Sequence, residues 1–214
     1  NAVAERFGRE GFAVAIVGRN GERLAKGVEA LKAKGVEAAS FTCDIGDTAA
    51  VAKMIADVHA KVGPVAVIHW NAAGFTAGNL LDADDAAIDG ALKPAIHGLL
   101  AAVRAGLDDL KKEKGGVLVT GGGLGLEDLY DAYAVMDPGA MGLAVAKAAQ
   151  RKVVALLNKK LAPDGVYVGE IVVCGSVKGT ASDRDGSATI DPADIAEVFF
   201  QNFTERKDAS VTFE

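Results

Sequence analysis

Phe12-Ala13-Val14-Ala15-Ile16-Val17-Gly18-Arg19-Asn20 is the stretch that decides the fold. From Phe12 to Val17 it is apolar without alternation, so a strand made from it must be covered on both faces, the condition of a strand inside a parallel sheet. The run ends at Gly18-Arg19-Asn20, and Asn20 stands where its side chain can cap the next helix, whose inner face is Leu24, Val28 and Leu31. On the other side, Asn1 to Arg9 predicts a short helix with Ala2, Val3 and Phe7 on one face and Gly11 as its stop.

The alternation continues outward. Val36 to Cys43 predicts the next strand, closed by Asp44, and Asp47 caps a helix with the buried stripe Val51, Met54, Ile55 and Val58. Val65 to Trp70 is another buried strand and runs straight into Asn71-Ala72-Ala73-Gly74. Helix is predicted from Asp84 to Lys112, kinked or split at Pro94, which removes a backbone donor and crowds the preceding turn. A strand over Gly116 to Thr120, a long helix over Ala140 to Leu161 and a strand over Val166 to Val173 follow. Asp191 then caps a last helix with Pro192 at its first position. This order predicts an α/β fold, a doubly wound parallel sheet with helices on both faces, in a single domain over residues 1–214. The chain opens in a helix with no strand before it and stops at Ser210 to Glu214 where a strand begins, so it reads as trimmed at both ends.

Composition sets the outer bounds. Of 214 residues, 50% are hydrophobic and 24% charged, enough for a full core and too apolar for a disordered chain. The net charge of -6 argues against a nucleic-acid or anionic-membrane binder. No run of about 18 apolar residues is evident, so no membrane span is expected. Cys43 and Cys174 sit in apolar runs without CxxC spacing, which predicts reduced thiols, no metal site and a cytoplasmic location.

In a parallel sheet the ligand lies at the carboxyl ends of the strands. Those ends are Gly18-Arg19-Asn20, Asp44-Ile45, Asn71 to Gly74, Thr120 to Gly123 and Cys174-Gly175-Ser176. Arg19 falls where a dinucleotide-binding domain chooses its cofactor, and a positive side chain there accommodates a 2′-phosphate. Asp44 is read either as an acceptor for an adenine amino group or as a turn cap. Asn71 is read as a ligand contact or as a residue holding its own turn. Thr120-Gly121-Gly122-Gly123-Leu124-Gly125 resembles part of a phosphate loop, but Glu127 replaces the final glycine, so it is read as a strand end lining the site. Ala181 to Thr189, polar and small, is expected to be a lid or an exposed loop.

These residues, in this order, resemble the short-chain dehydrogenase/reductase family from the second helical element to near the last strand. The matching pieces are Gly18-Arg19-Asn20, Cys43-Asp44-Ile45, Asn71-Ala72-Ala73-Gly74, Val117 to Gly122, Lys147 and Leu161-Ala162-Pro163-Asp164-Gly165. The resemblance implies a Rossmann-type, three-layer αβα domain whose first strand and glycine-rich loop would lie before Asn1. It also implies a nicotinamide cofactor, with Arg19 favouring NADP(H) over NAD(H), and cofactor contacts from Arg19, Asp44, Asn71, Ala72, Gly74, Lys147, Val177 and Thr180.

The family's catalytic set is Asn, Ser, Tyr and Lys. Only the lysine is kept, as Lys147; the tyrosine position is Leu143, the serine position is about Gly122 and the asparagine position is Ala95. Some subgroups of the family lack the tyrosine and keep the lysine, and this chain looks like one of them. Leucine moves no proton, and losing a general acid costs about 10²–10⁴-fold in rate. Tyr130 and Tyr133, with Asp131 and Asp137, are the candidate substitute acids. Lys147 fits the role of holding the nicotinamide ribose hydroxyls. His69 is expected in the core, Trp70 in the core or in the wall of the site, and His97 packed or hydrogen-bonded on its helix.

Two functional readings follow from the resemblance. One is an NAD(P)(H)-dependent oxidoreductase acting on a carbonyl or alcohol with degenerate catalytic residues. The other is a catalytically silent NADP(H)-binding protein, a sensor or assembly partner. A homodimer or homotetramer is expected through the helices spanning 99–112 and 140–161, with Leu99, Leu100, Val103 and Leu107 supplying an apolar interface.

Overall fold

The computed structural model describes residues 1–72, 74, 76–127, 138–180, 183 and 185–214. In chain order the elements are α1 (Ala2–Gly8), β1 (Val14–Gly18), α2 (Gly21–Lys32), β2 (Ala38–Thr42), α3 (Thr48–Lys61), β3 (Val67–Trp70) and α4 (Asp85–Leu92). A π-helical segment (Lys93–Gly98), α5 (Leu99–Ala105), α6 (Leu107–Lys112), β4 (Gly116–Gly122), α7 (Met141–Leu161), β5 (Tyr167–Val173), α8 (Pro192–Glu205) and β6 (Ser210–Phe213) complete it.

The helix caps are the ones the sequence announces. The Asn20 side chain accepts from the Arg23 amide, Asp47 from Ala49 and Ala50, and Asp191 from Ala193 with Pro192 in the first turn. The stripe of α3 is Val51, Met54, Ile55 and Val58, all buried, each worth about 1.5–3 kcal/mol of transfer free energy when fully covered. Pro94 does not split its helix. The chain relaxes there into a π-helical segment, which accommodates the missing proline donor by widening the turn, and the true break comes later at Gly106. Strand β4 runs two residues past its expected end, through Gly121 and Gly122, because both pair with β5.

All strand pairs are parallel, arranged in two sheets: β1-β2, and β3-β4-β5-β6. Among the described residues, β1 and β3 each keep one edge without a partner strand. Helices cover both faces. On one side α3, α5 and α7 meet Phe41, Ile68, Trp70, Val117, Val119 and Val168 in a core that joins the two sheets. On the other, α1 and α8 close over Leu118, Tyr167 and Ile171 with Phe7, Ile195 and Phe199.

Residues 85–105, helical throughout, are long and apolar enough to cross a membrane by length and composition alone, counter to the expectation from apolar runs. In this fold one face of the stretch packs inward, with Ala91, Ala95, Leu99 and Ala102 buried against α3 and α7. Leu99 and Val103 are therefore spent on the protein's own core, with 0% and 4% of their surface exposed, and cannot supply an interface. Their i, i+4 spacing puts both on the inner stripe. The exposed apolar side chains of α7 are Val145 and Leu156.

Candidate functional site

Because the strands are parallel, their carboxyl ends share an edge within each sheet. Gly18 pairs with Thr42, which brings Arg19 beside Asp44; Trp70 pairs with Val119, and Gly122 with Val173. Arg19 is exposed and forms no side-chain hydrogen bond or ion pair among the described residues. Asp44 uses Oδ1 to accept from the Gly46 amide at 2.9 Å, which is the turn-capping role. Asn71 is exposed and holds no turn of its own among the described residues. Ala72 and Gly74 are half-buried. Gly74 serves packing: a Cβ there would lie 2.3 Å from the Gly90 carbonyl oxygen, so only glycine lets α4 come this close. Val177 bridges to Ile190, and the exposed Thr180 hydroxyl donates to the Val177 carbonyl at 2.7 Å.

Lys147 lies on α7 beneath the end of β4. Its Nζ donates to the Thr120 carbonyl at 2.6 Å and to Gln150 Oε1 at 3.1 Å. An ammonium has three donors, so one is left without a partner among the described residues. Burial pulls its pKa down to about 8, against the opposing charge of Glu170. Leu143 is half-buried one turn earlier, Gly122 is half-buried, and Ala95 is buried in the π-helical segment. The nearest atoms to a Cβ on Gly122 would be the methylenes of Lys147, at 3.8 Å. Tyr130, Tyr133, Asp131 and Asp137 lie outside the described residues.

Three polar groups behind Lys147 were not singled out from the sequence. Gln150, 1% exposed, donates from Nε2 to the Ala95 carbonyl at 3.0 Å. Glu170, 2% exposed on β5, accepts from Arg151 at 2.7 Å and from the Ser210 hydroxyl at 2.9 Å. Burial still holds its carboxyl above the usual range. The third is the Thr120 carbonyl. A glutamine three residues after Lys147 on one helix face, and a lone acid inside the apolar run of β5, were the available signals.

His69 is a core histidine. Nε2 contacts the Thr120 hydroxyl at 3.1 Å and the ring stands edge-on to Phe199 at 4.7 Å. Although it keeps some accessible surface, its enclosure lowers the pKa to about 4, with a smaller push from the N-terminal ammonium. Trp70 is buried and donates to the Pro94 carbonyl at 3.1 Å. His97 points to solvent rather than packing. Cys43 is buried and Cys174 half-buried; both are free thiols raised in pKa by burial. Among the described residues no cluster of ligating side chains could hold a metal. After β5, Asp183 accepts from the Gly179 and Ala188 amides; residues 181, 182 and 184 of the expected lid or loop lie outside the described residues.

The model of the short chain dehydrogenase family matches residues 1–190. The chain belongs to this family. A short chain dehydrogenase from Burkholderia cenocepacia J2315, solved in complex with NADP, is 25% identical and superposes with a TM-score of 0.84, covering 100% of this chain and 90% of that one. A short chain oxidoreductase from Pseudomonas aeruginosa PAO1, solved with NADPH bound and described as containing an atypical catalytic center, has a TM-score of 0.83 at 19% identity, covering 99% of this chain and 90% of that one. Among curated proteins, 3-dehydrosphinganine reductase TSC10B of Arabidopsis thaliana is 28% identical over 174 residues, 78% of this chain and 48% of that protein. The 2,3-dihydro-2,3-dihydroxybenzoate dehydrogenase of Bacillus subtilis (strain 168) is 36% identical over 67 residues, 31% of this chain and 26% of that protein. The chain thus spans at most about half the length of these curated relatives.

Proposed function

We propose that this short-chain dehydrogenase family member is an NADP(H)-dependent oxidoreductase acting on a carbonyl or alcohol, with Lys147 as the polar centre of its site. The observation that carries the reading is Lys147 itself, mostly buried at the end of β4 with one ammonium donor uncommitted among the described residues. The residues fit a nicotinamide dinucleotide: that donor suits a ribose hydroxyl, Asn71 and Arg19 are exposed at strand ends and unpaired among the described residues, and Arg19 suits a 2′-phosphate. Asp44, Ala72, Val177 and Thr180, which follow the carboxyl ends of β2, β3 and β5, complete the proposed contacts. The cofactor, when bound, supplies or accepts the hydride. Lys147, with a pKa near 8, is also an acid of suitable strength close to neutral pH, where Leu143, Gly122 and Ala95 offer none. The NADP-bound and NADPH-bound relatives support the choice of cofactor. Assembly as a homodimer or homotetramer, through α7 with its exposed Val145 and Leu156, and a cytoplasmic location complete the proposal.

Calorimetric titration of NADPH and NADH tests it. NADPH is expected to bind more tightly, and Arg19→Asp to weaken it by about tenfold, the worth of one exposed charge-assisted hydrogen bond. NADPH consumption with a panel of ketones and aldehydes then separates turnover from silent binding. Absence of binding by either nucleotide overturns the reading.

A further inference from the structure

Gln150 is an uncharged polar side chain with 1% of its surface exposed, buried in the core of α7 where the neighbouring inner positions are Ala144, Ala146 and Val154. Burying an amide there costs free energy unless both of its ends are bonded. Both are, and in one direction only. The Ala95 carbonyl can only accept, so it requires the amide nitrogen; that leaves Oε1 facing the Lys147 ammonium, which can only donate. The partner carbonyl belongs to the π-helical segment Lys93–Gly98, a type of distortion that occurs frequently at functional sites.

We infer that Gln150 is a positioning residue, bridging the Lys147 ammonium to the Ala95 carbonyl and so holding the lysine beneath the end of β4 and the π-helical segment against α7. This rests on the assignment of Lys147 to the cofactor site. The bridge does two things. It restricts the rotamers of a flexible side chain, so that two donors are committed and the third has a defined direction. It also sets an oxygen dipole against a cation taken largely out of water, favouring the charged form.

Among the described residues, the other groups around Lys147 are few. From β5 comes Glu170, already paired with Arg151 of α7 and Ser210 of β6. β4 presents only the Thr120 carbonyl, whose hydroxyl turns to His69 on the opposite face. The π-helical segment carries Lys93 and His97, and α4 carries Asp85 and Asp89, all exposed, with Lys93 and Asp89 paired to each other. The turn Gly123–Gly125 has no titratable side chain.

The test is the Lys147 titration, followed by NMR of labelled lysine side chains, in the wild type and in Gln150→Met and Gln150→Glu. Met keeps the shape and removes both bonds, so Lys147 should titrate about one unit lower, the worth of one hydrogen bond to a charged group. Glu places a carboxylate beside the ammonium and should move it up by a similar amount. A bystander glutamine that merely fills space predicts an unchanged Lys147 titration in the folded Met variant, and that result overturns the inference. If the Met variant does not fold, Gln150→Leu, which likewise removes both bonds, decides by the same criterion. NADPH titration of the same proteins keeps the two claims apart: a shifted Lys147 titration with unchanged NADPH affinity supports the bridge and refutes the assignment of Lys147 to the cofactor site.

Discussion

Rebuilding the missing acid is the most demanding prediction. The double substitution Gly122→Ser and Leu143→Tyr restores a hydroxyl at the end of β4 and a phenol one helical turn before Lys147. The backbone permits both. Gly122 has φ -158° and ψ 144°, extended geometry that any residue adopts, and the nearest atoms to its new Cβ would be the Lys147 stem, at an ordinary contact distance of 3.8 Å. Leu143 is half-buried at i-4 from Lys147 on α7, so a ring there shares the face of the lysine. The neighbouring ammonium stabilises a phenolate and makes the phenol a better acid. Restored general-acid catalysis is worth about 10²–10⁴-fold, or about 3–5 kcal/mol of barrier. The assay is the rate of NADPH oxidation with a panel of ketones and aldehydes, alongside NADPH affinity by calorimetry and a thermal melt. Carbonyl reduction should rise by that factor, and adding Lys147→Met should remove the gain. Unchanged rates in a folded double variant that binds NADPH normally would refute the placement of Gly122 and Leu143 at the reacting centre.

Two further outcomes concern stability. His69 titrates near 6.5 when unfolded but at about 4 in the fold, so the unfolded state binds its proton first and stability falls as pH drops from 6.5 towards 4. The loss is about 3 kcal/mol, and His69→Gln should flatten the dependence of melting temperature on pH across that window. Leu99→Ala, at a site with no exposed surface in the core that joins the two sheets, should cost about 2–5 kcal/mol in urea unfolding.

Of the proposed cofactor contacts, Arg19, Asp44, Asn71 and Thr180 are polar and exposed, whereas Leu143, Gly122 and Ala95 carry no group that could serve as an acid. Among the described residues, the polar groups around Lys147 are the Thr120 carbonyl, Gln150 and Glu170.

Most of the secondary structure was legible in the sequence by itself. Continuous apolar runs declare strands buried on both faces, and Asn20, Asp47 and Asp191 declare helix starts through side-chain oxygens that bond only nearby amides. The choice of Lys147 as the site's lysine came from the family resemblance, by counting back from Leu161 to Gly165. The rest depends on contacts between residues far apart in the chain. Apolar runs do not say which strands pair, so the division into β1-β2 and β3-β4-β5-β6 came only with the crossovers. Leu99 and Val103 looked like an interface until α3 covered them. Only the folded chain sets Gln150 against a carbonyl fifty-five positions away and buries Lys147 enough to lower its pKa, because desolvation belongs to the whole packed environment and to no local pattern.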